Sequence, residues 1–347
     1  MLGFVRRFRK ADWFSMPRRL HEAGVLGLNR RNAEYVLMHN PRRFYPLVDD
    51  KEQTKRLAVR AGLAVPDLYG VIEIQRQVRD LPRLLAQYDD FVIKPARGSQ
   101  GEGIVVIGGR SGRLFRRTDG ALLSEDDIKF HVSNILSGIY SLGGQPDKAL
   151  VEYRVKFDPV FERIAYSGVP DIRIIVFLGV PVMAMVRLPT RMSQGKANLH
   201  QGAIGAGIDL ATGRTLTAVW RNSVIETHPD TENPVAGVAI PHWTDLLAIA
   251  ARSTEMTGLG YQGIDIVLDR DRGPMILEFN ARPGLNIQIA NRAGLEPRLR
   301  AVQEDRSALN TVAARVAYAR LHFGADIAVE ADVAAPVAAP ATASQAR

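Results

Sequence analysis

Two apolar segments near the carboxyl end decide the fold of this chain: Gly263–Leu268 (GIDIVL) and Pro274–Asn280 (PMILEFN), separated by Asp269–Gly273 (DRDRG). Short apolar segments that flank a cluster of turn-forming residues predict a β-hairpin. In the antiparallel register that pairs Asp269 with Pro274, one apolar face of the hairpin meets another. The predicted opposite pairs are Ile264 with Phe279, Ile266 with Leu277, and Leu268 with Met275.

The same register places two carboxylates directly opposite each other. Asp265 faces Glu278, and Asn280 points to the same side of the sheet because side chains alternate along a strand. Opposed carboxylates repel, so the arrangement persists only if one is protonated or a cation lies between them. Three oxygen-bearing side chains without Cys or His suit magnesium. The prediction depends on the register, since a slip of one residue would send these groups to opposite faces.

The composition is that of a globular protein without cysteine chemistry. The 347 residues suffice for two or three subdomains, and 46% apolar with 24% charged residues is ordinary for a soluble protein. The absence of cysteine excludes disulfides, thiolate metal sites and cysteine nucleophiles, and agrees with the cytoplasmic location that we predict. The longest apolar run, Ile174–Val186, is too short to span a bilayer, and Gly179 and Pro181 divide it into a predicted hairpin.

Basic charge is concentrated at the amino-terminal end. Residues 1–43 contain ten Arg and Lys and three Asp and Glu, so they carry +7 of the chain's net charge of +8. Such a segment could contact nucleic acid, an anionic membrane surface or an acidic protein, but a solvated basic helix that covers the main domain is the simpler interpretation. We expect no secretory signal, because the basic residues within 6–10 are not followed by an apolar stretch.

Local patterns predict alternating helices and strands that begin as an α/β arrangement. The expected elements are a helix over Asp50–Gly62 with Gly62 as its C-cap, strands Phe91–Pro95 and Ile104–Ile107, a helix from a Ser124 cap to about Leu142, strands Ala149–Val151 and Ile172–Val186, and a helix from Thr244 to about Met256. Residues 1–45 are typical of a helical lead-in, and the tail after Ala325, rich in Ala and Pro, is predicted to be disordered.

A glycine-rich loop, Ala96–Gly103, lies between two predicted strands and could wrap phosphates with its backbone N–H groups. It is neither a Walker A loop, which ends in Gly-Lys-Ser/Thr, nor a Rossmann fingerprint, which opens a helix. Taken alone, the loop favours a simple turn. Lys94 in the preceding strand favours a nucleotide phosphate, because an ammonium among apolar neighbours needs an anionic partner. The alternative is a lysine that reaches solvent.

Polar groups at the ends of the second predicted hairpin could act together. Asp171 and Arg173 share one face of their strand, and Arg187 follows the return strand. A structural salt bridge and a functional role explain Asp171 and Arg173 equally well. The segment Asn198–Ala203 then offers an amide and an imidazole beside glycine, but a lone histidine is more often structural, and we assign it no role.

In their order and spacing, these segments resemble the ATP-grasp superfamily, and within it the RimK-type α-L-glutamate ligases. The resemblance extends from about Asp50 to about Leu295. Its most specific motifs are Val92–Pro95 with Gly98–Gly103, Asp171–Arg173, Asn198–Gly202, and Asp265 with Glu278–Gly284. The stretches Gly27–Asn32 and Pro283–Ala290 further resemble the subgroup described as α-L-glutamate ligase-like or sugar-transfer-associated ATP-grasp proteins.

The resemblance implies an α/β, more specifically α+β, ATP-grasp fold in which two α+β subdomains clasp a nucleotide, preceded by a basic helical N-terminal extension. The expected divisions are the extension at 1–45, a linker or partial α/β region at 46–85, a first subdomain with the glycine-rich loop at 86–155, a second subdomain with the metal site at 156–324, and a disordered tail at 325–347. Two features depart from RimK-type enzymes: the short basic amino-terminal region, and the continuation Leu285–Arg292, which could contact the acceptor.

The resemblance also implies roles for individual residues. The nucleotide contacts would be Lys94, Lys55, Gly98, Ser99, Gln100, Gly101 and Gly103, with the adenine at the backbones of Val151 and Tyr153 and with Glu152 near the ribose. The catalytic set would be Arg187, which neutralises phosphate charge, Arg173, and Asn198 near the metal or the phosphates. The metal ligands would be Asp265, Glu278 and Asn280, which hold two magnesium ions, with manganese as an alternative metal.

In such enzymes a substrate carboxylate attacks the γ-phosphate of ATP to give an acylphosphate, and an amine then displaces phosphate to form an amide. The expected partners are ATP, Mg²⁺, an amino acid such as glutamate, and an acceptor peptide or metabolite, while nucleic acid is not expected. Two alternatives stay open. One is a ligase that modifies a cell-envelope or sugar-linked acceptor, and the other is a non-enzymatic, nucleotide-dependent binding protein whose residues 1–43 engage a membrane or a protein partner.

Overall fold

The computed structural model describes residues 17–98 and 101–324, and two sheets organise this part of the chain. Residues 1–16, Ser99 and Gln100 of the glycine-rich loop, and the predicted disordered tail 325–347 lie outside the described residues. All paired strands in the described sheets run antiparallel. The fold is therefore α+β, as the ATP-grasp expectation requires, and the strands that follow the first predicted helix pair in the antiparallel direction.

The first sheet has six strands in the order β1-β6-β2-β3-β4-β5. Their bounds are β1 Leu68–Ile72, β2 Phe91–Pro95, β3 Val105–Ser111, β4 Leu114–Arg117, β5 Leu122–Leu123 and β6 Ala149–Glu152. The predicted strands at 91–95 and 149–151 are present, and β3 begins one residue later and ends four residues later than predicted. The glycine-rich loop therefore joins two neighbouring strands of this sheet.

The second sheet has seven strands in the order β11-β10-β9-β8-β7-β12-β13. Their bounds are β7 Asp171–Phe177, β8 Val180–Leu188, β9 Ile204–Ile208, β10 Thr215–Trp220, β11 Ser223–Ile225, β12 Tyr261–Asp269 and β13 Gly273–Asn280. The predicted break of the long apolar run is confirmed, because β7 and β8 form a hairpin around Leu178 and Gly179. Strand β7 also pairs with β12, which brings the two predicted hairpins side by side.

The register of the hairpin formed by β12 and β13 changes part-way along its length. Asp265 lies opposite Glu278 and Ile264 lies opposite Phe279, as predicted. Nearer the turn, Ile266 pairs with Ile276, and Asp269 pairs with Gly273, so the predicted partners there are wrong by one residue. A bulge at Leu277 absorbs the difference, because an extra residue on one strand shifts the register on one side only.

Besides the α-helical residues 17–22, ten α-helical segments lie among the described residues. They are α1 Leu28–Arg30, α2 Leu37–His39, α3 Pro46–Asp49, α4 Lys51–Arg60, α5 Leu81–Leu85, α6 Glu125–Leu136, α7 Trp243–Thr257, α8 Ile287–Asn291, α9 Glu296–Glu304 and α10 Val312–His322. The π-helical stretch Arg31–Val36 joins α1 to α2. Short 3-10 turns occur at Arg42–Phe44, Gln75–Asp80, Leu142–Gly144, Pro159–Phe161, Leu199–Gln201 and Arg306–Ala308.

Sequence signals fix the starts of helices better than their ends. Asp50 caps α4 by accepting hydrogen bonds from two backbone N–H groups of the first turn, and Ser124 forms a capping box with Asp127 at the start of α6. The prediction that the second helix continues to about Leu142 is wrong, because α6 ends at Leu136. Gly138 adopts a φ of +85°, a left-handed conformation that ends a helix readily in glycine.

The described part of the amino-terminal segment packs into the larger core beside the second sheet. Tyr35 is buried there, with its ring edge-on to Phe177 at 5.5 Å between centroids. The Asn40 side chain donates hydrogen bonds to the carbonyls of Tyr261 at 2.6 Å and of Ala281 at 2.9 Å. A second, smaller apolar core is formed by residues of the first sheet and the helices packed on it. Within residues 17–98 and 101–324, none of the helices has the length and apolar character needed to cross a bilayer.

Candidate active site

A buried cluster of two lysines and one glutamate lies at the first sheet, and we name it the phosphate-side cluster after its predicted role. Lys94 on β2 and Glu152 on β6 lie diagonally across neighbouring strands, and their side chains form an ion pair. Lys55, from the middle of α4, places its Nζ 2.8 Å from Glu152 Oε2 and donates a hydrogen bond to the carbonyl of Pro66 at 2.7 Å. All three side chains are almost completely buried. The structure therefore brings Lys55, Lys94 and Glu152 together, as one site requires.

Burial and pairing act against each other on the pKa values of this cluster. Burial would raise the pKa of the Glu152 carboxyl, but the two ammonium groups outweigh it and hold the pKa below its ordinary value. Burial lowers the pKa of Lys55 to about 8, although Glu152 opposes the shift. With both lysines protonated, two positive charges face one negative charge. The surplus positive charge suits an anion such as a phosphate.

The glycine-rich loop is held by contacts from three sides. Lys51, the first residue of α4, donates a hydrogen bond from Nζ to the carbonyl of Gly98 at 2.6 Å. The ring Nε2 of His131 lies 2.9 Å from the carbonyl oxygen of Gly103. Near the end of the loop, Glu102 Oε1 lies 3.2 Å from Lys196 Nζ. The last contact joins the loop of the first sheet to the segment between β8 and β9 of the second.

The second sheet holds a cluster of alternating charge, which we name the metal-side cluster after its predicted role. The guanidinium of Arg173 on β7 donates two hydrogen bonds to the Asp265 carboxylate on β12, from Nε to Oδ1 at 2.7 Å and from Nη2 to Oδ2 at 2.6 Å. Arg187, which lies inside β8, pairs with Asp171 directly across the β7–β8 ladder and donates to Asp265 Oδ2 at 2.8 Å. The predicted salt bridge of Asp171 therefore has Arg187 as its partner, and the two arginines share Asp265.

The two carboxyls of this cluster have opposite pKa shifts. Burial would raise the pKa of Asp265, but Arg173 and Arg187 outweigh it and hold that pKa far below its ordinary value. Burial raises the pKa of Asp171 to about 6. The positive charge of Arg187 opposes this shift, and the negative charge of Asp265 adds to it. Despite burial, Asp171 and Asp265 together raise the pKa of Arg187, which stays protonated.

The outer edge of the metal-side cluster carries Glu278 and Asn280. Asn280 Nδ2 lies 3.4 Å from both Asp265 Oδ2 and Glu278 Oε1, so the three predicted ligands converge. The Glu278 side chain is 32% exposed, and its Oε2 lies 3.7 Å from Lys51 Nζ. Lys51 thus contacts both the glycine-rich loop and the predicted metal ligands, and it connects the two sheets at the site.

Residues 30–304 match the protein family described as "Sugar-transfer associated ATP-grasp". The chain belongs to this ATP-grasp family. The match includes every predicted site residue and both clusters of the site. Among curated proteins, none matches the chain.

Solved structures of ATP-grasp ligases are similar to this chain at low identity. The ATP-grasp ligase PsnB complexed with minimal precursor has 17% identity and a TM-score of 0.41, with 80% of this chain and 62% of that chain covered. The D-cycloserine synthetase DcsG has 16% identity and a TM-score of 0.44, with 87% and 80% covered. The D-alanine–D-alanine ligase from Bacillus anthracis has 12% identity and a TM-score of 0.41, with 75% and 65% covered. The chain thus spans less than two thirds of the PsnB protein.

The donor set of this ATP-grasp protein suits magnesium. Two carboxylates and one amide oxygen are hard ligands, and Glu278 is open to solvent on one side. Asp265 is the least available of the three, because its oxygens already accept from two guanidinium groups. Among the described residues, no three His, Cys, Asp or Glu side chains converge, so an ion here would rely on Asn280 and water as well.

Other predicted positions lie around the same sheets. Val151 is buried in β6 opposite Ile93, and the Tyr153 backbone N–H donates to the carbonyl of Asp67 at 2.8 Å. The Asn198 side chain accepts a hydrogen bond from the His200 backbone N–H at 2.9 Å and so caps a 3-10 turn. The roles assigned to these residues remain predictions.

Two contacts of the site were not predicted from the sequence. In the sequence, Lys51 has the pattern of an ordinary helix residue. Its backbone position is fixed because it directly follows the Asp50 cap. His131 was not singled out, because its only signal is an interior position on the amphipathic α6. Both residues act through the loop backbone, at Gly98 and Gly103, and backbone contacts leave no pattern in side-chain chemistry.

Proposed function

We propose that this protein is an ATP- and magnesium-dependent carboxylate–amine ligase that forms an amide bond through an acylphosphate. One observation carries the proposal: Lys51 joins the glycine-rich loop beside the phosphate-side cluster to Glu278 at the metal-side cluster. A surplus of positive charge thus stands next to a set of hard oxygen ligands. A triphosphate with its magnesium ion requires both groups on adjacent surfaces.

The reaction uses three substrates, namely ATP, a carboxylate and an amine, and has two steps. A carboxylate oxygen bonds to the γ-phosphorus of ATP as the bond to ADP breaks, and the amine nitrogen then bonds to the acyl carbon as phosphate leaves and the amine gives up a proton. Magnesium at Asp265, Glu278 and Asn280 would reduce the repulsion between the carboxylate and the phosphates. Lys94 and Lys55 would bind phosphate oxygens, with Glu152 fixing both ammonium positions.

Arginines would provide the remaining positive charge. Arg187 and Arg173 are held by buried carboxylates, so neither needs to reorganise when negative charge develops on the transferred phosphoryl group. Asn198 would lie near the metal or the phosphates. The predicted phosphate contacts of Gly98, Ser99, Gln100, Gly101 and Gly103 belong to the same proposal.

For the substrates, we propose an amino acid such as glutamate as one partner and a peptide or metabolite as the acceptor, as in RimK-type ligases. The support is the order and spacing of the sequence motifs. A second candidate is a ligase that acts on a sugar-linked or cell-envelope acceptor. The family description, sugar-transfer associated ATP-grasp, favours that candidate.

A substrate screen tests the function directly. Purified full-length protein is incubated with ATP, magnesium, single amino acids and candidate acceptors, and ADP formation is measured with mass spectrometry of the products. We expect ATP to bind only with magnesium, and one pair of substrates to give a product with the summed mass of both, less one water. ATP binding without ADP formation in any mixture would instead favour the non-enzymatic binding protein.

A further inference from the structure

The amino-terminal segment exposes apolar side chains that a folded protein normally covers. Leu28, Leu37 and Met38 are 60%, 61% and 73% exposed, and Leu20 is 47% exposed. Buried residues of the continuous helical stretch 28–39 are Arg31, Tyr35 and Val36. Leu28 lies at the amino end of this stretch and Leu37 and Met38 lie at its carboxyl end, where their side chains are exposed to solvent.

Exposed arginines flank these apolar side chains on both sides in the sequence. Arg18 and Arg19 precede them on the helical residues 17–22, and Arg42 and Arg43 follow them in a 3-10 turn. We call the four apolar residues and these four arginines the amino-terminal patch. Exposed apolar side chains are unfavourable to an isolated protein in water, and a combination of apolar and positively charged side chains matches an anionic bilayer surface.

The amino-terminal patch is held in a fixed position against residues 283–296, which follow β13. Gln288 accepts a hydrogen bond from the Leu26 backbone N–H at 2.8 Å and donates to the Leu26 carbonyl at 3.1 Å. Arg31 donates to the Pro283 carbonyl at 2.7 Å, and Arg30 pairs with the buried Glu296 at 2.5 Å. These contacts are non-local and mostly buried, so the patch is presented by the folded core and needs no ordering when it binds a partner.

From this patch we infer that the protein binds the surface of an anionic lipid bilayer, independently of its ligase chemistry. The arginines would contact lipid phosphates while the leucines and Met38 enter the region between headgroups and acyl chains. Nucleic acid matches the charge but offers nothing to the apolar side chains.

The test is flotation of the full-length protein with lipid vesicles. Vesicles of phosphatidylcholine alone are compared with vesicles that contain phosphatidylglycerol in a substantial fraction. We expect binding only to the anionic vesicles, with loss of binding in high salt because added ions screen the attraction. Equal binding to both vesicle types, or binding to neither, would overturn the inference. Retention on immobilised heparin without vesicle binding would do the same and would assign the patch to a polyanion.

Matched variants separate the patch from general surface charge. The triple variant Arg19→Gln, Arg42→Gln and Arg43→Gln removes three charges from the patch, and Arg76→Gln, Arg79→Gln and Arg83→Gln removes three exposed charges beside the first sheet. The patch variant should bind about 100-fold more weakly, because each basic residue near an anionic surface contributes about fivefold. The control should bind as the wild type does. Equal losses in both variants would overturn the inference.

The apolar part of the patch is tested at constant charge. We expect Leu37→Ser with Met38→Ser to lower vesicle binding about tenfold or more, because less apolar surface enters the bilayer. The control, Ile139→Ser with Leu321→Ser, changes two side chains that are 64% and 79% exposed elsewhere. Thermal unfolding of every variant checks that the fold is retained. Unchanged vesicle binding of the Leu37 and Met38 variant would show that charge alone acts, against the bilayer assignment.

Discussion

The phosphate-side and metal-side clusters are built from the same kinds of residue but differ in their balance of charge. The first places Lys94 and Lys55 around Glu152, so one positive charge is left over. The second pairs two arginines with Asp171 and Asp265, which leaves no surplus until Glu278 adds a negative charge at its open edge. Buried ion pairs contribute little net stability. We propose that the unpaired charge of each cluster, rather than its internal pairing, suits it to a ligand, with Lys51 placed 3.7 Å from Glu278 between the two clusters.

The largest expected effect comes from removing the open charge of the metal-side cluster. Glu278→Ala should lower turnover on the order of 1000-fold, because the remaining Asp265 already accepts from two guanidinium groups and cannot replace Glu278 toward a metal. Folding should stay intact, since Glu278 is partly exposed. ADP formation and thermal unfolding are measured, with the exposed Glu162→Ala as the control. Unchanged ATP consumption in Glu278→Ala would remove the metal-site assignment.

Breaking the internal pairing of the metal-side cluster should affect stability first. Arg173→Met takes away both hydrogen bonds of the fork onto Asp265 and leaves that buried carboxylate with Arg187. We expect the free energy of unfolding to fall by about 3–5 kcal/mol, the usual result of breaking a buried pair. Urea unfolding measures the loss, and Arg173→Lys, which keeps the charge without the fork, should lose less. A methionine variant as stable as the wild type would contradict this account.

The corresponding change in the phosphate-side cluster should act on nucleotide binding. Lys94→Met removes the surplus positive charge, and we expect ATP to bind about 10- to 100-fold more weakly, as for loss of a charge-assisted hydrogen bond. Calorimetric titration with ATP and magnesium provides the measurement. Lys129→Met is the control, since Lys129 pairs with Asp126 on the surface of α6. The comparison between clusters fails if Arg173→Met weakens ATP binding more than Lys94→Met does.

The buried Lys55 of the phosphate-side cluster should make the free energy of unfolding depend on pH. Burial lowers the pKa of Lys55 to about 8 in the folded protein, below its ordinary value of 10.5. Between these values the unfolded chain binds more protons, so the contribution of Lys55 to stability rises with pH, by at most about 1.4 kcal/mol per unit. Below pH 8 the full penalty for burying the charged form remains. Unfolding free energies of wild type and Lys55→Met from pH 7 to 9.5 should therefore differ in slope above pH 8, and parallel curves would refute the shift.

The two clusters also differ in how much of each could be predicted from the sequence. Asp265 opposite Glu278 followed from the alternation of the β12–β13 hairpin, because neighbouring strands have a local register. The forks from Arg173 and Arg187 onto Asp265 join residues 92 and 78 positions apart, and no local pattern specifies such contacts. The bulge at Leu277 was missed for a related reason: it depends on how the strand bends over its neighbours.

The two ends of α6 show the same difference between local and non-local causes. The start of α6 was predicted because Ser124 and Asp127 form a cap from adjacent residues. Its end was placed too late, although Gly138 was present as a local signal, because the apolar spacing continues to Ile139. Ile139 is in fact 64% exposed. The spacing of apolar residues therefore continues past the end of α6 and cannot locate that end.

The smallest expected effect lies in the loop that connects the two clusters. Gly103 has a φ of +72°, and a Cβ there would lie 2.6 Å from Cγ of Tyr140. Gly112 has a similar φ of +60° with nothing within 4 Å, so Gly112→Ala carries the backbone strain without the contact. We expect Gly103→Ala to lose about 1 kcal/mol more in urea unfolding than Gly112→Ala does.

The same pair of variants shows whether the loop connects the clusters. Movement at Gly103 should disturb the contact of Glu102 with Lys196 in the segment between β8 and β9, and ATP binding should weaken in Gly103→Ala alone. Equal stability losses together with equal ATP affinities in the two variants would mean that the loop is only a turn, which was the simpler interpretation of its glycines. A difference in ATP affinity would instead mean that the phosphate-side and metal-side clusters depend on one connecting loop.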